Sequence, residues 1–494
     1  MPLITIFIVS SIFIAIFIGL RAGKEIKNKR ENFYVAGRKW SWGIVGFALM
    51  AQAIDGNATL GSTGLGFDFG FWAAAAMPLG LALSLFLLGK FFAPKLNQMK
   101  LMTLADFFKI KYNRKIEIIA SLFMLLCFGV LLAGNIAAIA ILLMNFIPFH
   151  YETLVILTCL AILLYCLRGG IISDLYSDLW QLSLLTVGIV GTFIFILWKF
   201  DFTTFFGSSV FTESTDLSQL STLANGGLIN WATIVALGFG NLLAIDFNSR
   251  IFAAQSSRAA QKGCYWGGFL TLLIGLPFAF LAPILHFLNV VPSEGMPVLL
   301  TFTTTLLPPV IAGFLLAGII AAALSTIDGA MLSMGNILTQ NLLRIQDDLE
   351  DQENEESEKT FLYLSRLSLA PIACIAMIFA ILLPSPGVLL TVAFDIMFSS
   401  LLAPFVFAFY LKKPNITAAL YSISTGFLIR FLFWIFTPTS FGVENSILYI
   451  PNSFLSANWD GMGTILSPLI ALIVYALIYS FSKNSKSSKL ILDS

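Results

Sequence analysis

The chain has 494 residues, 58% of them hydrophobic and only 11% charged, with a mean hydropathy of +0.89 and a net charge of +1. A soluble protein of this length could not hide so much apolar surface, so its solvent is lipid. The near-neutral balance excludes a nucleic-acid partner held by basicity, and two histidines, His150 and His286, leave no histidine-based metal or catalytic cluster.

Apolar segments of spanning length fall near 3–21, 41–67, 71–93, 117–147, 152–168, 174–199, 231–253, 264–290, 307–344, 360–383, 388–411, 414–437 and 463–482. They predict an all-α polytopic membrane protein with about thirteen transmembrane helices. The first segment has no basic residue before it and is not read as a secretory signal peptide. With the N-terminus outside and the C-terminus inside, every Lys and Arg except Lys199 and Arg430 falls in an inner connection or the tail, as the positive-inside rule requires. Arg250 is counted there as part of an inner loop, and Arg430 is assigned to a peripheral helix. The connection 291–306 is short, and the helix after it starts on one side or the other of Pro308-Pro309. The acidic run 347–359 reads as a solvated inner loop. Cys127, Cys159, Cys166, Cys264 and Cys374 lie in or beside apolar segments without metal-like spacing and read as small buried hydrophobes. No loop is long enough for a kinase, a nucleotide-binding domain or an ectodomain. No Walker-type loop occurs, which argues against ATP-driven transport by this chain alone.

Three segments carry polar chemistry at membrane depth. In 50–67, Asp55 and the glycines Gly56, Gly61, Gly64 and Gly66 interrupt an apolar run. Each glycine weakens a helix by roughly 1 kcal/mol, and a mid-membrane acid is expensive unless paired. A broken helix answers both, because its freed carbonyls can coordinate a cation and its N–H groups a solute. In 168–181, Gly169-Gly170 leads into a helix with Asp174 and Asp178 one turn apart. Asp174 is expected to favour the helix N-terminus, and Asp178, a turn deeper, to handle a cation. In 318–332, Ser325, Thr326 and Asp328 sit on a helix whose small residues Ala322, Ser325 and Gly329 share a narrow face, one wall of a cation site.

These residues resemble the sodium/solute symporter family. Gly169-Gly170 with Ser177-Asp178 and Gln181 is similar to its turn-and-helix signature. Ala53-Ile54-Asp55-Gly56 and Leu324-Ser325-Thr326 resemble its two site walls. Arg250 to Arg258 and Thr103-Leu-Ala-Asp106-Phe-Phe match two further stretches in order. The resemblance implies a LeuT-type 5+5 inverted repeat. An extra helix and loop would occupy 1–40, the first repeat 41–199, an outer loop 200–230, the inverted repeat 231–411 and two last helices and the tail 412–494. It implies alternating access, with sodium as the coupling ion and no other cofactor. The first sodium would be held by backbone oxygens of Ala53, Gly56 and Ala322 and the hydroxyls of Ser325 and Thr326. Some relatives hold a second sodium at positions equivalent to Asp178, Ser325, Asp328 and Gly329. Here the last two hydroxyls are a carboxylate and a glycine, so Asp178 and Asp328 are read either as a two-carboxylate sodium site or as the holders of a proton.

The solute is expected between two broken helices, with Asp55, Asn57, Trp72 and Asn135 from the first repeat and Asn241, Asp246 and Asp395 from the second as candidates. Trp72 is read alternatively as an interface anchor and Asn135 as a helix–helix donor. With no Lys or Arg at that depth, the acids favour an amino acid or other zwitterionic or amine-bearing solute. The function expected is sodium-coupled symport, with proton-coupled symport and a uniporter or channel of the same fold as alternatives. An intramembrane enzyme is the remote one, since no second acidic cluster accompanies Asp174 and Asp178. The expected partners are the solute, sodium and the lipid bilayer, without an obligate protein partner. The 47 phenylalanines suggest a bacterial inner membrane.

Overall fold

Helices form wherever an apolar run is long enough to bury its backbone, and polar residues mark where they begin. The computed structural model describes residues 2–22, 30–166, 170–292, 296–345, 360–361, 363–364, 367–446 and 448–492. The acidic run 347–359 and the Arg168-Gly169 part of the glycine turn lie outside them.

In chain order the longer helices are α1 (Pro2–Ala22), α2 (Trp42–Ala53), α3 (Gly56–Phe69), α4 (Phe71–Gln98), α5 (Leu104–Lys111), α6 (Arg114–Leu143), α7 (Tyr151–Cys166) and α8 (Ile171–Lys199). They continue with α9 (Gly227–Leu243), α10 (Ile245–Ala253), α11 (Ser257–Phe287), α12 (Val298–Thr305), α13 (Pro309–Leu342), α14 (Leu369–Leu382), α15 (Pro386–Tyr410), α16 (Ile416–Phe436) and α17 (Met462–Leu492). Among the described residues eight helices are long and apolar enough to cross a membrane, and α9 with α10 forms a bent pair that passes the same test. Shorter apolar helices at Pro2–Ala15, Trp42–Ala53, Tyr151–Leu163 and Leu369–Leu382 occupy the remaining apolar segments.

Caps explain several boundaries. Thr103 and Asp106 close a capping box on α5, and Asn113, Ser256 and Asn415 each accept an N–H in the first turn of α6, α11 and α16. The helix after 291–306 begins at Pro309, where a fixed φ suits the first helical position. The preceding connection itself contains a helix, α12. Two large crossings depend on glycine. A Cβ on Gly188 would lie 2.5 Å from the Leu315 backbone, so α8 and α13 touch main chain to main chain. A Cβ on Gly61 would lie 2.5 Å from the Gly387 backbone, joining α3 to the start of α15.

At the opposite end of the molecule, Trp40 forms a two-bond bridge to the segment after α10, with its N–H on Ala253 O (3.1 Å) and its carbonyl taking the Gln255 N–H (2.9 Å). Asn97 donates to Ile251 O and Ala254 O, both at 2.9 Å. The start of α2 and the end of α10 are therefore held together.

One expectation on the cysteines is corrected. Cys127, Cys159 and Cys264 are buried, but Cys374 is exposed. Helix α14 buries only the face carrying Leu369, Ile372, Ala373, Ala376 and Ala380, and Cys374 is off it.

Candidate cation and solute site

Asp55 breaks the first pair. Ile54 and Asp55 leave helical geometry, and Asp55 becomes the N-cap of α3, its Oδ1 taking the Ala58 N–H at 2.7 Å. Its Oδ2 accepts from Asn135 Nδ2 (2.7 Å) and Asn57 Nδ2 (3.1 Å), while Asn135 Oδ1 accepts the Gly56 N–H (3.2 Å). Asp55, Gly56, Asn57, Ala58 and Asn135 are all buried. The carboxylate is thus held by three donors, and Asn135 ties the break to α6. Gly56 is pressed on α13: a Cβ there would lie 2.8 Å from Ala323 Cβ.

Helix α13 presents its polar notch to this break. Gln52 Nε2 donates to the Ser325 carbonyl (3.4 Å) and hydroxyl (3.5 Å), and the Ser325 hydroxyl donates to Asp178 Oδ1 on α8. The sequence brings Asp178 and Ser325 together as expected, with Asp328 buried one turn further along α13. Several acceptors here are left without partners among the described residues: Thr326 Oγ1, Asp178 Oδ2, Gln52 Oε1, and Gln181 Oε1, one turn from Asp178. A buried acceptor without a donor costs about 1–3 kcal/mol.

Two arginines alter the charge balance the sequence suggested. Arg250 does not lie in an inner loop: it is fully buried in α10, paired with Asp174 and donating to Asp246 O (3.2 Å). Gly329 makes room for it, since a Cβ there would fall inside van der Waals distance of the guanidinium and 2.7 Å from Gln52 Oε1. Asp174, expected only to favour a helix N-terminus, is the buried counter-ion of Arg250. Arg430, expected on a periphery, is 3% exposed and paired with Asp395, whose Oδ2 also accepts from Thr464 (3.2 Å). The statement that no Lys or Arg lies at depth is therefore corrected, although both arginines are already paired.

The remaining candidates separate. Asp246 is the first acid of α10, its Oδ1 on the Phe247 N–H (2.7 Å). Asn241 stands at the break between α9 and α10, bent by 48°, and donates back to Leu237 O (2.8 Å), leaving its Oδ1 buried and unpartnered. Trp72 stands apart: its indole donates to Thr215 O (3.1 Å) in the 200–226 loop, an anchoring role. Asp395 likewise belongs to the α15–α16–α17 packing. Gln52 and Arg250 were missed as site residues. Gln52 lies in the glycine-rich stretch, and an arginine five residues after Ile245 in an apolar segment was the available signal.

The description Sodium:solute symporter family matches residues 33–426. The chain belongs to that family. Among the symporters and relatives it resembles, it is 25% identical to a sodium/glucose cotransporter of Vibrio parahaemolyticus, over 68% of each chain. It is 22% identical to a high-affinity choline transporter of Torpedo marmorata, over 96% of this chain and 83% of the other. The solved structure of a Na+-coupled sialic acid symporter shares the fold, with a TM-score of 0.76 at 18% identity over 96% of this chain and 97% of that one. The protein is accordingly a multi-pass membrane symporter that couples sodium to the transport of a small solute.

Proposed function

We propose that sodium binds where the α2–α3 break meets α13, held by the carbonyls of Ala53, Gly56 and Ala322 and the hydroxyls of Ser325 and Thr326. The observation that carries this is the buried, unpartnered Thr326 hydroxyl beside a break whose Gly56 is packed on Ala323. An alkali cation needs several oxygen ligands to replace its hydration shell, and a broken helix supplies carbonyls without unwinding anything further. Asp178, Ser325 and Asp328 form a second cation or proton site; the unpartnered Asp178 Oδ2 supports it.

The solute sits between the breaks at Asp55 and Asn241, with Asp55, Asn57, Asn135, Asn241 and Asp246 nearest. It is zwitterionic or amine-bearing. Arg250 and Arg430 support this reading over a purely anionic solute, because each is neutralised by its own aspartate, and the carboxylate of a zwitterion falls to the N–H groups at a helix break. Repeats at 41–199 and 231–411, each opening with a broken helix pair, would rock against each other to expose the site alternately.

The test is the thermal stability of detergent-purified protein in sodium against equimolar potassium. Sodium at ten times its dissociation constant adds about 1.4 kcal/mol, and Ser325→Ala or Thr326→Ala removes that increment. An increment unchanged in both variants places sodium elsewhere.

A further inference from the structure

A cavity of about 580 Å³ lies away from the helix breaks. It lies at the end that the Lys/Arg distribution assigns to the outside, between the 200–226 loop, the far ends of α3 and α9, and the hairpin after α16. We propose that this cavity is a second ligand site for an organic cation, an ammonium group carrying an apolar body, outside the sodium and solute site.

Its walls have two chemistries. Leu65, Phe69, Leu228, Ile229 and Phe441 supply an apolar floor, while Glu213 and Asp216 stand on the loop side. No lysine or arginine occurs between Lys199 and Arg250 or between Arg430 and Lys483, so both loops that form the cavity carry only negative formal charge. Clefts lined by one sign of charge concentrate the opposite ion. Asp216 is kept ionised by the Ser218 N–H (3.0 Å) and hydroxyl (2.6 Å), which hold its carboxyl below the usual range. The Thr439 hydroxyl in the wall has no partner among the described residues. An apolar pocket with a few convergent polar groups is what a small organic ligand requires.

The cavity is built in advance. Gln219 pins the loop to the α3–α4 turn, accepting the Trp72 N–H (3.3 Å) and donating to Ser214 O (3.1 Å). Gly70 at that turn has φ +100°, and any Cβ there would collide with the Gln219 amide. A ligand in the cavity would touch the end of α3, the half-helix that begins at Asp55.

The test uses benzyltrimethylammonium as probe and neopentylbenzene as its uncharged isostere, read by isothermal titration calorimetry on the purified protein. Purified protein is expected to bind the ammonium saturably and the isostere at least about tenfold more weakly, the scale of one close charge–charge attraction at a partly solvated site. Glu213→Gln with Asp216→Asn reproduces that loss for the ammonium, and Ala457→Phe, which fills the cavity, abolishes binding. All variants keep the sodium-dependent stability shift, which shows that they are folded. Equal affinity for probe and isostere, or binding unmoved by the charge and filling variants, overturns the site. Binding that persists in Ser325→Ala supports it independently of the sodium assignment.

Discussion

The chain buries two aspartate–arginine pairs, and their surroundings differ more than their geometry. Arg430–Asp395 joins α15 and α16, with Thr464 of α17 on the same carboxylate oxygen. The guanidinium lies 4.4 Å from the Trp434 ring centroid and 5.8 Å from that of Phe441, so aromatic faces complete its cover. Arg250–Asp174 joins α10 to α8 beside the α13 notch, where Gln52, Asp178, Gln181 and Thr326 each retain an unpartnered atom. The first pair staples three helices, with Asp395 Oδ1 and Trp434 Nε1 also unpartnered among the described residues but no run of free oxygens like that at the notch. The second is one part of a larger polar cluster, and its arginine sits on the half-helix tied to Trp40 and Asn97. A buried ion pair therefore indicates function only through its neighbours.

The largest effects come from cutting each pair. Arg430→Ala or Arg250→Ala strands a buried carboxylate and is expected to lower stability by about 3–5 kcal/mol, measured by thermal unfolding in detergent. Replacing both partners by apolar residues separates the two regions, since a buried pair is often exchangeable for packed hydrophobes. Asp395→Leu/Arg430→Met should recover stability and keep the full sodium-dependent shift. Asp174→Leu/Arg250→Met should recover stability but weaken that shift, because Gln52, which contacts Ser325, then loses the guanidinium packed with it around Gly329. An intact shift in the second double variant would make both pairs staples and end the distinction.

How much of this was legible depends on the range of the interaction. The break at Asp55 was readable because four glycines and one acid within an apolar run conflict with a continuous helix, a local contradiction. The notch at Ser325 and Thr326 was readable for the same reason. The break between α9 and α10 was not visible in the residues 231–253, where Asn241 and Asp246 are isolated polar positions; it was expected from the family resemblance alone. Arg250 was misplaced because positive-inside counting assigns a basic residue at a segment end to a loop. Its partner is 76 residues away, and nothing local to either marks the pair. Arg430 and Asp395, 35 residues apart, fail for the same reason.

A smaller effect tests how tightly the cation cluster is packed. Gly329→Ala adds one methyl group against the Arg250 guanidinium and Gln52. Overpacking of this kind typically costs about 1–3 kcal/mol. The variant should also raise the sodium concentration needed for half the stability shift, since Gln52 contacts Ser325 directly. A stability loss without any change in sodium response would limit Gly329 to packing.

The smallest effect sharpens the other side. Thr464→Val removes the hydroxyl donor to Asp395 Oδ2 while keeping the side-chain shape, and Arg430 remains on the same oxygen. A lost hydrogen bond to a charged group would ordinarily be worth about 1.5–3 kcal/mol, but the retained arginine reduces the deficit toward the 0.5–1.5 kcal/mol of an ordinary bond. Thermal unfolding should show that small loss, and the sodium-dependent shift should be unchanged. The equivalent cut at the cation cluster, Ser325→Ala, removes the donor to Asp178 and is expected to abolish the shift. If Thr464→Val altered the sodium response as well, the α15–α16–α17 packing would have to transmit to the breaks, through the contact of Gly387 at the start of α15 with Gly61 on α3.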